Sequence, residues 1–116
     1  MSATERVFLG TELKFLVEIT AQGFSMVDDD FIVAIARGPN VRVFTKGELI
    51  QDENDKFYCC FDTAEFGSGL YKAVITAYVP DDDFEDGFRT EVFQLDLIRI
   101  DNVVVRRTPY GLMGGV

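Results

Sequence analysis

A two-residue hydrophobic period constrains this chain most, because it recurs in separate runs while no stretch sustains a 3.6-residue repeat. In LKFLVEIT (13–20), Leu13, Phe15, Val17 and Ile19 share one face, against Lys14, Glu18 and Thr20. FIVAIA (31–36) is apolar throughout and suits a central strand. VRVFT (41–45) alternates after the turn signal GPN. FYCCF (57–61) groups Phe57, Cys59 and Phe61. LYKAVITAYV (70–79) aligns Tyr71, Ala73, Ile75, Ala77 and Val79 against Lys72 and Thr76. TEVFQLDLIRI (90–100) alternates at Phe93, Leu95 and Leu97, then shifts through Ile98 and Ile100, which predicts a bulge. Only AEFG reads as helical, for a single turn. Six or seven short strands separated by turns predict a β-sandwich. At 116 residues, with 47 % hydrophobic residues and eleven Phe, the chain is one domain with ample material for a core.

The corner before residue 71 sharpens the fold. In DTAEFGSGLYKAVITAYV a glycine-rich turn leads into Gly69-x-Tyr71-x-Ala73-x-Ile75-x-Ala77. This resembles the corner entering the penultimate strand of immunoglobulin-like and fibronectin-type sandwiches, where a tyrosine bonds back to preceding backbone. The proline, core tryptophan and disulfide pair of the usual pattern are missing. The alternative is an unrelated small sandwich or barrel that uses a tyrosine for packing. The resemblance implies an all-β, immunoglobulin-like sandwich of about seven antiparallel strands over residues 1–105. Gly69 and Tyr71 form its structural corner, and 106–116 follow as an extended C-terminal arm.

Charge and cysteine content narrow the partners. A net charge of −9 disfavours nucleic acid, whose phosphates need clustered Lys and Arg. No apolar run is long enough to span a membrane. MSATERVFLG has no apolar core of a secretory signal, so synthesis and folding in the cytoplasm are expected, and Met1 points to a complete chain. Cys59 and Cys60 are neighbours on opposite strand faces, where a bridge would be strained. One is expected in the core and the other as a half-exposed thiol.

VPDDDFEDGFRTEV (79–92) carries Asp81, Asp82, Asp83, Glu85 and Asp86 between the last two predicted strands. Pro80 ends the first of them, since it cannot donate a ladder bond. Asp86-Gly87 is a tight turn, with Phe84 and Phe88 placed to pack together and pin it. Asp81, Asp83 and Glu85 have the every-second-residue spacing of the first ligands in an EF-hand loop. The template then fails: Asp86 stands where glycine is required, and Val92 where the bidentate glutamate belongs. A looser calcium site would draw on Asp28, Asp29 and Asp30 if the two loops share one end. The favoured reading is a solvated, metal-free loop. Catalysis has less support. Without histidine there is no triad and no common general base. ARGPN and GSG open no helix with a following Lys-Ser/Thr, and Ser25 and Thr45 have no evident partners. A non-enzyme without cofactors is expected.

The C-terminus reverses the charge of the body. Residues 1–100 hold nine basic and nineteen acidic side chains, a net −10; residues 101–116 hold Arg106 and Arg107 against Asp101, a net +1. Val103 to Val105 read as one further strand. Arg106, Arg107, Tyr110, Leu112, Met113 and Val116 then form a glycine-spaced arm suited to binding a neighbouring subunit by strand addition. A frayed terminus is the competing reading.

DTAEFGSGLYKAVITAYVPDDDFEDGFRTEV (62–92) and ELKFLVEI (12–19) make the chain similar to the small immunoglobulin-like modules of tailed-bacteriophage virions. Such modules serve as capsid decoration or auxiliary proteins, or as adaptors of baseplates and fibres. The resemblance implies a non-enzymatic virion protein, made in the host cytoplasm, that binds capsid or tail subunits and can form homo-oligomers. Decoration of the capsid lattice is the leading expectation, and a tail, baseplate or fibre adaptor the second. A calcium- or carbohydrate-binding sandwich module of a cellular protein is the reading from another class.

Overall fold

Strands form where β-branched and aromatic residues alternate, and turns where Gly, Pro, Asn and Asp interrupt them. The computed structural model describes residues 6–102. In chain order the strands are β1 (Val7–Phe8), β2 (Glu12–Val17), β3 (Phe31–Arg37), β4 (Asn40–Thr45), β5 (Ile50–Gln51), β6 (Phe57–Asp62), β7 (Gly69–Pro80) and β8 (Phe88–Asp101). Single 3-10 turns lie at Lys46–Glu48 and Thr63–Glu65, the second within the AEFG region. A five-stranded sheet, ordered β1-β8-β7-β3-β4, faces a three-stranded sheet ordered β2-β6-β5. The protein is therefore all-β.

Several expectations need correction. Eight strands are described rather than about seven, and they are not all antiparallel. The short β1 runs parallel to β8, Val7 opposite Ile100 and Phe8 opposite Asp101, because the chain enters along that edge before crossing to β2. The second strand stops at Val17, although Ile19 still packs on the core. Ser25 and Thr45 do have partners, both local. The Ser25 hydroxyl donates to Asp28 at 3.3 Å, and the Thr45 hydroxyl to Glu48 at 3.0 Å, closing the turn at Lys46–Glu48. The same contacts, with the Thr45 amide foremost, lower the Glu48 pKa. The bulge sits at Leu97, since Tyr71 pairs with Ile98 but Lys72 with Asp96.

Inward-facing residues of both sheets make one core. Phe31, Val33 and Ile35 come from β3, Phe57, Cys59 and Phe61 from β6, and Tyr71 to Val79 at every second position from β7. Its aromatic centre is a set of offset and edge contacts. Phe61 stacks on Tyr71 at 6.0 Å, and Phe66 meets both edge-on at 5.4 and 5.6 Å. Cys59 lies inside and Cys60 outside, both as free thiols. Burial pushes the Cys59 thiol up to about 12, with a smaller push from Cys60.

Tyr71 ties this core to the corner before β7. Its ring is buried, and its hydroxyl proton faces two carbonyls, Gly67 O at 2.6 Å and Thr63 O at 3.0 Å. Burial raises its pKa, which keeps the phenol protonated and donating. The Phe66 carbonyl is clamped from the other side by the Arg37 guanidinium at 2.6 and 2.9 Å and by Asn40 Nδ2 at 2.7 Å. Arg37 comes so close that a Cβ at Gly67 or Gly69, both at positive φ, would lie 3.0 or 3.1 Å from it. Only glycine lets the chain turn there.

Candidate docking face

The outward side chains of the five-stranded sheet are fixed by its register. Across β4, β3, β7 and β8 run three rows: Thr45–Ile32–Thr76–Val92, Val43–Ala34–Val74–Gln94 and Val41–Ala36–Lys72–Asp96. Tyr78 opposite Thr90, and Phe88 opposite Pro80, continue the face toward the acidic loop. Most of its side chains are short or β-branched. Val41, Val43 and Val92 are 57 %, 51 % and 61 % exposed. Four strands about 4.8 Å apart and rows about 6.7 Å apart make this mixed apolar and polar surface on the order of 300 Å², comparable to the largest apolar patch of an ordinary monomer, which is often functional. The three rows contain one charged pair, Lys72 opposite Asp96, in a chain whose net charge is −9. At one end Ile32, Tyr78, Phe88, Thr90, Asp30 and Asp86 line an open depression of about 380 Å³, with room for a partner's side chain.

The acidic loop beside this face is ordered by its own contacts. Asp81 N donates to Gly87 O at 2.8 Å, Phe84 N to Asp81 O at 3.3 Å and Gly87 N to Phe84 O at 2.9 Å, so the turn spans 81–87. The Asp81 carboxylate accepts from the Asp83 amide at 3.0 Å and from Arg89 Nη1. These contacts, the Asp83 amide foremost, hold Asp81 below its usual pKa. Arg89 also reaches Glu91 at 2.9 Å and the Gln22 carbonyl at 3.1 Å, and its pKa is raised by Glu91 and Asp81. Phe84 and Phe88 do not pin the turn as expected: both stay exposed, because Arg89 and the backbone bonds already close it.

The candidate ligands Asp81, Asp83 and Glu85 are therefore not gathered around a common point. Asp28, Asp29 and Asp30 do reach the same end of the sandwich, where Tyr78 N donates to Asp30 O at 3.0 Å. Yet Asp29 accepts from Ser25 N and Asp30 from Phe31 N. Among the described residues no group of three or more His, Cys, Asp or Glu is placed to hold a metal. Arg106, Arg107, Tyr110, Leu112, Met113 and Val116, with the boundary at 105/106 and the extra strand at 103–105, lie outside the described residues.

The docking face itself was missed in the sequence. Its signal was present in Val41 and Val43, whose alternation shows a shared face without saying that the face points outward. Compared with known proteins, the chain matches no family model, and no curated protein or solved structure matches it significantly.

Proposed function

We propose that this chain is a non-enzymatic, immunoglobulin-like docking module whose five-stranded sheet binds another protein through its outer face. The assembly favoured is a tailed-phage virion, with decoration of the capsid lattice ahead of an adaptor role in tail, baseplate or fibre. The immunoglobulin-like reading is supported by strand order. Equating β3, β7 and β8 with strands C, F and G, β4 with C′, and β2, β6 and β5 with B, E and D gives the neighbours expected of C′-C-F-G and B-E-D, while β1 lies on β8 rather than beside β2 as strand A would. The tyrosine at the corner before strand F supports it too. The virion reading draws its support from the sequence resemblance alone.

One observation carries the docking role: an exposed face with a single charged pair in its three rows on an otherwise acidic domain. Burial of its valines supplies the driving force, and Tyr78 and Phe88 are the aromatic anchors. Mass spectrometry of purified particles from the source, with wild type and the Val43→Arg plus Val92→Arg variant, tests both parts. The wild-type chain is expected at hundreds of copies per particle for a lattice role, or a few for a tail role. The variant is expected to fold and to be missing from particles. Absence of the wild type would sink the virion reading, and full incorporation of the variant would sink the docking face.

A further inference from the structure

The sandwich is unevenly closed. Its three-stranded sheet ends at β2, whose outer edge pairs with no strand among the described residues. Between β2 and β8 the interior opens as an apolar cleft of about 180 Å³, lined by Phe15, Val17, Ile35, Ala73, Ile75 and Leu97. Past Glu18 and Leu95 it continues into a space of about 250 Å³ over Phe93. Leu95 points inward, paired with buried Ala73, yet remains 42 % exposed, since no described strand lies over it. An apolar cavity of about 150 Å³ is enough to hold a benzene ring, so this cleft accepts side chains.

We infer that the cleft receives Val103 to Val105 of a second copy of this chain, added as a fourth strand to the free edge of β2. Fourteen residues follow Asn102, and the first three are valines. In an extended run Val103 and Val105 share one face, which sets two apolar side chains toward Leu95 and Leu97. Arg106 and Arg107 come next, and the rim of the cleft carries the exposed carboxylate of Glu18, held only by Lys56 at a long 3.9 Å, on a strongly acidic body.

The chain's own valines are poorly placed to fill it. Beside the end of β8, Val7 and Phe8 already occupy the edge at Ile100 and Asp101, and Leu9 N donates to Asp101 O at 2.8 Å. The chain then arches over to β2 and is pinned there: Gly10 N donates to Thr63 Oγ1 at 2.9 Å, and Thr63 N to Thr11 O at 3.1 Å. Val105 is four residues beyond Asp101, a reach of about 13 Å even if the chain doubled straight back. Leu97 lies four residues down β8, at the limit of that reach, and Leu95 six residues down, about 20 Å away and beyond it. A neighbouring copy meets neither the arch nor this limit.

The link joins copies of this chain to each other and is separate from the outer face that would meet a different protein. Cross-linking in the full-length chain tests it, with Cys60→Ser throughout and buried Cys59 left in place. One population carries Lys14→Cys, on the exposed side of β2, and the other Val104→Cys. Mixed and treated with a short bismaleimide, they are expected to give a heterodimer that disappears when Val103→Asp and Val105→Asp are added. No cross-link at millimolar protein would overturn the inference. So would a double variant, carrying both cysteines, that links only within one chain. Either failure leaves the particle-incorporation result standing, so the two proposals fail separately.

Discussion

The Tyr71 hydroxyl serves two carbonyls that differ in what they lose without it. Thr63 O also accepts from Phe66 N and Gly67 N, whereas Gly67 O has the tyrosine as its close partner at 2.6 Å. Tyr71→Phe should therefore leave one part-buried carbonyl without its close partner, at a cost of about 1 kcal/mol. Tyr71→Ala also removes the ring that stacks on Phe61 and meets Phe66 edge-on, and should cost about 3 kcal/mol or more. Urea unfolding measures both; a Tyr71→Phe cost near zero would reduce the corner to ring packing. Tyr71 was legible in the sequence because Gly69-x-Tyr71 at the head of an alternating run carries its own geometry. Arg37 was not. A charge ending an apolar run reads as solvated, and only the tertiary fold brings it to the Phe66 carbonyl across 29 residues.

Alternation shows which residues of a strand share a face, but not which face is inward. For β6 and β7 the apolar set was unambiguous and the inward side followed, whereas β3, apolar on both faces, showed only that it is central. In β4 the alternating valines point outward while Phe44 is buried and Arg42 lies over its ring at 4.4 Å. The two-residue strands β1 and β5 are too short to show a period, so only pairing with β8 and β6 defines them. The acidic loop was legible as a turn, but Arg89, which organises it, lies beyond it in β8. With its folded pKa lowered, the Asp81 carboxylate adds stability at pH above its unfolded value, near 3.9, and loses it as pH falls through the folded value. The Asp83 amide, bonded to that carboxylate, should therefore titrate by NMR with a midpoint below about 3.9. Arg89→Gln should move the midpoint upward without reaching the free value, because the Asp83 amide bond remains. A wild-type midpoint at or above about 3.9 would show that the loop does not hold the carboxylate in this way.

At the scale of the molecule, the outer face and the β2 cleft are independent surfaces with different demands. An arm given by each copy to the next makes a heterologous contact, which closes into a ring if the rotation allows and otherwise runs on as a chain. Such contacts are concentration-dependent, and they stabilise only folded subunits, since the unfolded chain offers no cleft. The gain is RT ln(1 + [L]/Kd), about 2.7 kcal/mol when protein is a hundredfold above the dissociation constant. For a body of about 100 residues, each kcal/mol moves the melting temperature by about 4 °C. The intact protein should therefore melt about 10 °C higher when concentrated a hundredfold past that constant. Deleting 103–116 should remove the dependence and leave the dilute melting temperature unchanged, because the described core is complete with Ile100. Calorimetry across a range of concentrations decides between the arrangements. If the deletion lowers the melting temperature even at high dilution, the segment packs within its own domain. A melting temperature independent of concentration in both proteins would mean that the cleft takes no arm.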